Sequence, residues 1–121
     1  MTDKILLTGM EFFGHHGCSD EERQRGQVFK VDAELILDLS KSAKSDDIKD
    51  TVDYVSVFNE IKTVVTGKPR NLIETVAEDI AQTILEKFYQ IETVKINLQK
   101  PSAGINGVFD AAAVSIIRHR N

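Results

Sequence analysis

Between residues 29 and 39 the chain alternates. Phe29, Val31, Ala33, Leu35, Leu37 and Leu39 share one parity, and Lys30, Asp32, Glu34, Ile36 and Asp38 share the other. Successive side chains of a β-strand point to opposite faces, so a period of two over this length specifies a half-buried strand. Such a strand belongs in an antiparallel sheet with one covered face and one open face.

The remaining periodicities supply neighbours and a cover. Ile5, Leu7 and Met10-Glu11-Phe12-Phe13 read as an earlier strand, closed by Gly14 and Gly17. Residues 14–27 are polar and read as a long loop, the kind of segment on which functional residues concentrate. After a polar connector at 40–50 the period changes. Tyr54, Val57, Phe58, Ile61, Val64 and Val65 recur at helical spacing, with Asp53 as the expected cap and Gly67 as the stop. Pro69 punctuates the chain, and Leu72, Val76, Ile80, Ile84 and Phe88 form the apolar stripe of a second helix. Val94, Ile96 and Leu98 alternate with Lys95, Asn97 and Gln99 in a third strand that ends at Lys100-Pro101. A glycine-bearing turn leads to a last strand near 111–118. The expected order is β-β-α-α-β-β, an α+β domain with two helices on one face of a four-stranded antiparallel sheet. Its other face and its edges stay uncovered, which predicts pairing with further copies.

Length and charge narrow the function. A chain of 121 residues is expected to form a single domain over 1–121. Its net charge of −4 argues against a nucleic-acid partner, which needs a basic face. Residues 1–10 lack the basic lead and long apolar run of a secretory signal. No apolar run approaches the roughly 20 residues that span a bilayer. The single cysteine, Cys18, leaves no intrachain disulfide and suits a reducing compartment. A cytoplasmic protein without membrane partners is expected.

Several residues bear on chemistry. Asn71-Leu72-Ile73-Glu74 opens the second helix, with Asn71 as its expected cap. A carboxylate beside the free N–H groups of a helix start accepts paired hydrogen bonds from a planar, amidine-like ligand edge. The same spacing also makes an ordinary capping box, and both readings stand at this point. Lys100, held at a strand end by Pro101, reads either as a proton carrier facing a cleft or as a surface lysine. Tyr54 opens the first helix and fits a core aromatic. Glu21 and Glu22 lie in Ser19-Asp20-Glu21-Glu22-Arg23-Gln24-Arg25, which reads as a solvated charged loop. His15, His16 and Cys18 cluster in the first loop, and His119 lies near the end of the chain. A catalytic zinc wants three convergent ligands, whereas adjacent histidines diverge, so these are expected to be loop and packing residues with no metal. There is neither a nucleophile elbow nor a phosphate-cradling glycine loop.

Taken in order, Gly14-His15-His16-Gly17, Glu22 with Gly26-Gln27, Phe29-Lys30-Val31, Ser45-Asp46-Asp47, Thr51-Val52-Asp53-Tyr54, Asn71-Leu72-Ile73-Glu74 and Lys100-Pro101 resemble the dihydroneopterin aldolases of folate biosynthesis. The resemblance runs over nearly the whole chain. It implies the tunnelling fold, in which small subunits pair sheet edges into a barrel, commonly as an octamer of two four-subunit rings with active sites between subunits. It implies that Glu74 accepts hydrogen bonds from the pterin 2-amino group and ring N–H, with the backbone of Ile73 beside it. Tyr54 would come from the adjoining subunit, and Glu22 and Lys100 would face the reacting end, Lys100 leading in proton transfer. The implied reaction is retro-aldol cleavage of 7,8-dihydroneopterin without metal, Schiff base or other cofactor.

Three alternatives accompany this reading, one of them a zinc-dependent pterin enzyme on the same fold, which would require metal to co-purify and chelators to abolish activity. The same residues serve a dihydroneopterin or dihydroneopterin-triphosphate epimerase, for which Lys68 and Arg70 are the local phosphate candidates. A non-catalytic pterin- or purine-binding oligomer would share the fold. One stretch departs from the family pattern: Ser102-Ala103-Gly104-Ile105-Asn106-Gly107-Val108-Phe109-Asp110 lacks the frequent proline at position 104 or 106. A less constrained loop after Lys100 is expected.

Overall fold

In the computed structural model, which describes residues 3–121, four strands hydrogen-bond antiparallel in the order β1-β2-β3-β4. They are β1 (Lys4–Gly14), β2 (Gln27–Ile36), β3 (Thr93–Lys100) and β4 (Ala112–His119). Two long helices, α3 (Tyr54–Thr66) and α4 (Ile73–Lys87), connect β2 to β3 and pack on one face of the sheet. The alternating run behaves as its parity requires. Phe29, Val31, Ala33 and Leu35 are fully buried beneath the helices, while Lys30, Asp32 and Glu34 lie on the uncovered face. Strand β2 ends at Ile36, so Leu37 and Leu39 continue past the ladder.

Helix α3 starts where a cap is available: the Asp53 side chain accepts the Val55 N–H at 3.0 Å, and the helix closes at Gly67. It buries Val57, Ile61 and Val65, whereas Tyr54 at its start is 55% exposed and outside the core. Helix α4 buries Val76, Ala77, Ile80, Ala81, Ile84 and Leu85, but Leu72, the expected head of that stripe, is exposed. Removing one such fully buried side chain, as in Ile80→Ala, costs about 2–5 kcal/mol in a packed core of this kind.

Strand β1 does not alternate cleanly, and a bulge explains why. Leu7 pairs with Ala33 and Met10 with Val31, so β1 carries one extra residue between these rungs. Gly9 takes φ of 67°, a conformation open to glycine, and Asp32 Oδ1 accepts its N–H at 2.6 Å. The bulge resets the parity, so Ile5 and Leu7 face the helices before it, and Met10 and Phe12 after it.

Two polar stretches hold more structure than their composition suggested. The 40–50 connector forms α2 (Ser40–Ser45) and a 3₁₀ turn, Ile48–Asp50. The expected long loop at 14–27 contains helix α1 (Asp20–Arg25). No described helix is long and apolar enough to cross a membrane.

Candidate active site

Helix α1 corrects the reading of 19–25 as a solvated loop. Ser19 caps it, its hydroxyl accepting the Glu22 N–H at 3.1 Å, and the Gly26 N–H returns to the Glu22 carbonyl at 3.0 Å. The Ser19-x-x-Glu22 spacing is the capping-box signature, the sequence signal that marks the start of this helix. The helix turns Glu22 inward. A Cβ at Gly17 would come within 2.7 Å of the Glu22 Cβ, so glycine at that point lets the two backbones approach.

Opposite Glu22, Lys100 closes β3 on the same parity as Val94, Ile96 and Leu98, all of which face the helices. Its ammonium lies 2.5 Å from Glu22 Oε2, and both side chains are mostly buried. The hydrogen bond from Lys100 holds the Glu22 carboxyl below its ordinary value against the upward push of burial. A carboxylate that stays ionised therefore anchors the lysine head group.

The start of α4 forms another wall. Asn71 is not its cap: the helix begins at Ile73 after Leu72, and no capping side chain bonds its first turn. The Asn71 carbonyl instead accepts the Cys18 thiol at 3.4 Å. What fixes this segment is the pair before it. Buried His16 places Nε2 2.7 Å from the Val65 carbonyl, and its Nδ1 accepts the Arg70 N–H at 3.0 Å. The Gly17 N–H donates to the Arg70 carbonyl at 3.0 Å. Sequence spacing gave no sign of this staple between β1 and the α3–α4 turn. His15 points elsewhere, to the Arg23 carbonyl at 2.7 Å, so the adjacent histidines diverge.

These pieces enclose an open cleft of about 330 Å³, lined among others by Cys18, Glu22, Ile73, Glu74, Lys100 and Ile105. Four of the five expected site residues thus meet in one place. Glu74 is exposed within the first turn of α4, and among the described residues it takes part in no ion pair. It is free to accept hydrogen bonds from a planar ligand edge. Tyr54 does not join them. It borders a separate, mainly apolar cavity of about 360 Å³ with Ile5, Leu39, Ile48 and Val52. The reason is helix length. Tyr54 opens a helix of 13 residues whose far end, at Val65, touches His16 beside the cleft. At 1.5 Å per residue that is roughly 16 Å, beyond the reach of a tyrosine side chain.

The fold and the cleft define a class, a small α+β domain whose open cleft brings together a helix start and a half-buried Glu–Lys pair. Residues 5–117 match the family model described as dihydroneopterin aldolase, and the chain belongs to that family. Dihydroneopterin aldolase 1 of Arabidopsis thaliana is 47% identical over 120 residues, covering 98% of this chain and 82% of that protein. The dihydroneopterin aldolase of Bacillus subtilis is 40% identical over 119 residues, 98% of this chain and 99% of that one. The crystal structure of E. coli dihydroneopterin aldolase in complex with neopterin has a TM-score of 0.88 at 30% identity, covering 97% of this chain and 99% of that chain.

Proposed function

We propose that this protein cleaves 7,8-dihydroneopterin by a retro-aldol reaction to 6-hydroxymethyl-7,8-dihydropterin and glycolaldehyde, as its family membership implies. The observation that carries the residue-level reading is the meeting of Glu74, at a helix start, with the Glu22–Lys100 pair in one cleft. Glu74 accepts hydrogen bonds from the pterin 2-amino group and adjacent ring N–H, and the Ile73 backbone lies beside the ring. This leaves the trihydroxypropyl chain at Glu22 and Lys100.

The chemistry asks for little beyond these groups. A base removes the 2′-hydroxyl proton, and the bond between the 1′ and 2′ carbons breaks. A carbonyl forms on departing glycolaldehyde, and the electron pair moves into the 5,6-imine of the ring. The resulting enamine takes a proton at the 1′ carbon. Lys100 relays these protons from its place on Glu22, and Tyr54 of an adjoining subunit completes the relay. The ring imine is the electron sink, so neither a metal nor a lysine Schiff base enters the scheme.

The proposed assembly is the family's barrel of paired sheet edges, two four-subunit rings forming an octamer. The outer edges of β1 and β4, unpaired among the described residues, and the placement of Tyr54 away from the cleft support it. Side-chain epimerisation follows from the same residues when bound glycolaldehyde rotates before re-addition. A triphosphate substrate is less well served. The Arg70 guanidinium is engaged by Asp79 at 2.7 Å and by the Val64 and Lys68 carbonyls at 3.0 and 2.6 Å, which leaves Lys68 as the local cation. Glycolaldehyde release from 7,8-dihydroneopterin by the purified protein tests the proposal. Accumulation of an epimer without glycolaldehyde would overturn it in favour of an epimerase.

A further inference from the structure

We propose that Gln27 is a positioning residue for Lys100, acting through a side-chain clamp on the backbone of Ser102; the inference rests on the aldolase reading of the cleft. Gln27 opens β2 directly after Gly26, the residue that ends α1. Its Oε1 accepts the Ser102 N–H at 3.0 Å, and its Nε2 donates to the Ser102 carbonyl at 3.2 Å. One planar amide thus takes both backbone groups of one residue, as a hydrogen-bonded partner in an antiparallel ladder does. Position and orientation are fixed together.

The segment that follows Lys100 has little else to hold it. Gly104 takes φ of 74°, and a Cβ at Gly104 or Gly107 would meet nothing within 4 Å. Ile105 and Val108 are exposed. Among the described residues, no other hydrogen bond ties residues 101–111 to the body of the domain. The clamp therefore does what a proline at position 104 or 106 would otherwise help to do.

Its place matters for the chemistry. Ser102 lies two residues beyond Lys100, and Ala103 and Ile105 line the cleft. Gln27 lies just past α1, which carries Glu22. The two charged residues are thereby joined twice, once head to head at 2.5 Å and once through the backbone that bears the lysine stem. An ion pair restrains the end of a flexible lysine stem, whereas the clamp restrains its root. Glu74 and Ile73, on α4, are held independently by the His16–Arg70 staple. Loss of the clamp should accordingly disturb proton transfer while leaving ring binding in place.

The test compares Gln27→Ala and Gln27→Glu with the parent chain in turnover of 7,8-dihydroneopterin, binding of neopterin and thermal melting. Glutamate keeps the acceptor for the Ser102 N–H but sets a second oxygen against the Ser102 carbonyl. Both variants should lose about 10- to 100-fold in kcat, the order expected for a displaced catalytic group. The Kd for neopterin should stay within about two-fold, since ring contacts are unchanged. On acidification, Gln27→Glu should regain part of its turnover as the introduced carboxyl takes up a proton it can donate to the Ser102 carbonyl; Gln27→Ala has nothing to regain. Parent-like kcat in both variants would overturn the proposal, as would a loss of kcat matched by an equal loss of neopterin affinity. If Gln27→Ala does not fold, the pH profile of Gln27→Glu decides. A parent chain that releases no glycolaldehyde would overturn the aldolase reading instead.

Discussion

Replacing Glu74 by glutamine separates ligand recognition from helix stabilisation, because only the first needs the charge. Glu74 is exposed in the first turn of α4 and has no ion-pair partner among the described residues. Its contribution to the fold is the attraction between a carboxylate and a helix start, about 0.3–1 kcal/mol. In a domain of this size that corresponds to a fall in Tm of no more than about 5 °C. Two charge-assisted hydrogen bonds to a pterin are worth about 1.5–3 kcal/mol each. Glutamine replaces one with a neutral bond and turns an N–H toward a ring donor, so the net loss is about 2–4 kcal/mol. That is a rise of about 30- to 700-fold in Kd, at 1.4 kcal/mol per factor of ten. Calorimetric titration with neopterin, alongside a thermal melt of the same sample, measures both quantities. A melt lowered by about 10 °C with neopterin affinity intact would refute the argument, because Glu74 would then serve the helix alone.

Lys100→Ala should retain neopterin binding and lose about 100- to 10,000-fold in kcat, the usual scale for a missing proton carrier; unchanged turnover would remove Lys100 from the mechanism. Stability should depend on pH through His16, whose imidazole is held below its ordinary 6.5, mainly by burial. In the interval below that value the unfolded chain binds the proton and the native chain does not, so stability rises with pH. The contribution is complete above 6.5 and is lost as the pH falls toward the lowered native value. Urea midpoints between pH 8 and 5 should decline on the acid side for the parent and much less for His16→Gln; parallel profiles would show that His16 is not the group responsible. The Glu22 contribution lies in a separate window, being lost only as the pH falls below the ordinary carboxyl value of 4.5.

The strands and long helices were legible because each buries one parity or one stripe, and burial is what periodicity records. Phe29 to Leu35 and Val76 to Ile84 left that record. Helix α1 left none, since its six residues are all polar and none is buried. Its sole marks are Ser19 at the cap and Gly26 at the close, which is why Glu22 looked like surface. Asn71 failed as a cap for a related reason. Residues 70 and 71 spend their backbone carbonyls on Gly17 and Cys18 across the fold, and no local pattern encodes that pairing. Lys100 was half legible: a charge on the parity of Val94, Ile96 and Leu98 is out of place unless something ionic awaits it. Glu22 is that partner, and only the tertiary fold brings it there.

Tyr54 is the residue whose placement has the largest consequence. If it acts in the cleft, it acts in a neighbour's cleft, because α3 carries it roughly 16 Å along the helix from Val65, the residue that touches His16 beside its own cleft. A catalytic unit then takes Lys100 and Glu22 from one chain and Tyr54 from another, and two different inactive chains should repair each other. Tyr54→Phe and Lys100→Ala chains, each nearly inactive alone, can be assembled together in equal amounts. A site is whole where a Tyr54→Phe chain supplies Lys100 and a Lys100→Ala neighbour supplies Tyr54. With random assembly each condition holds half the time, so activity per site should return to about a quarter of the parent value. Mixing the separately assembled variants without exchange should restore nothing. Activity after co-assembly that merely averages the two variants would show that no site draws Tyr54 from a neighbour, whereas a Tyr54→Phe chain that is fully active alone would place Tyr54 outside the reaction and leave its exposed ring at the start of α3 an interface residue only.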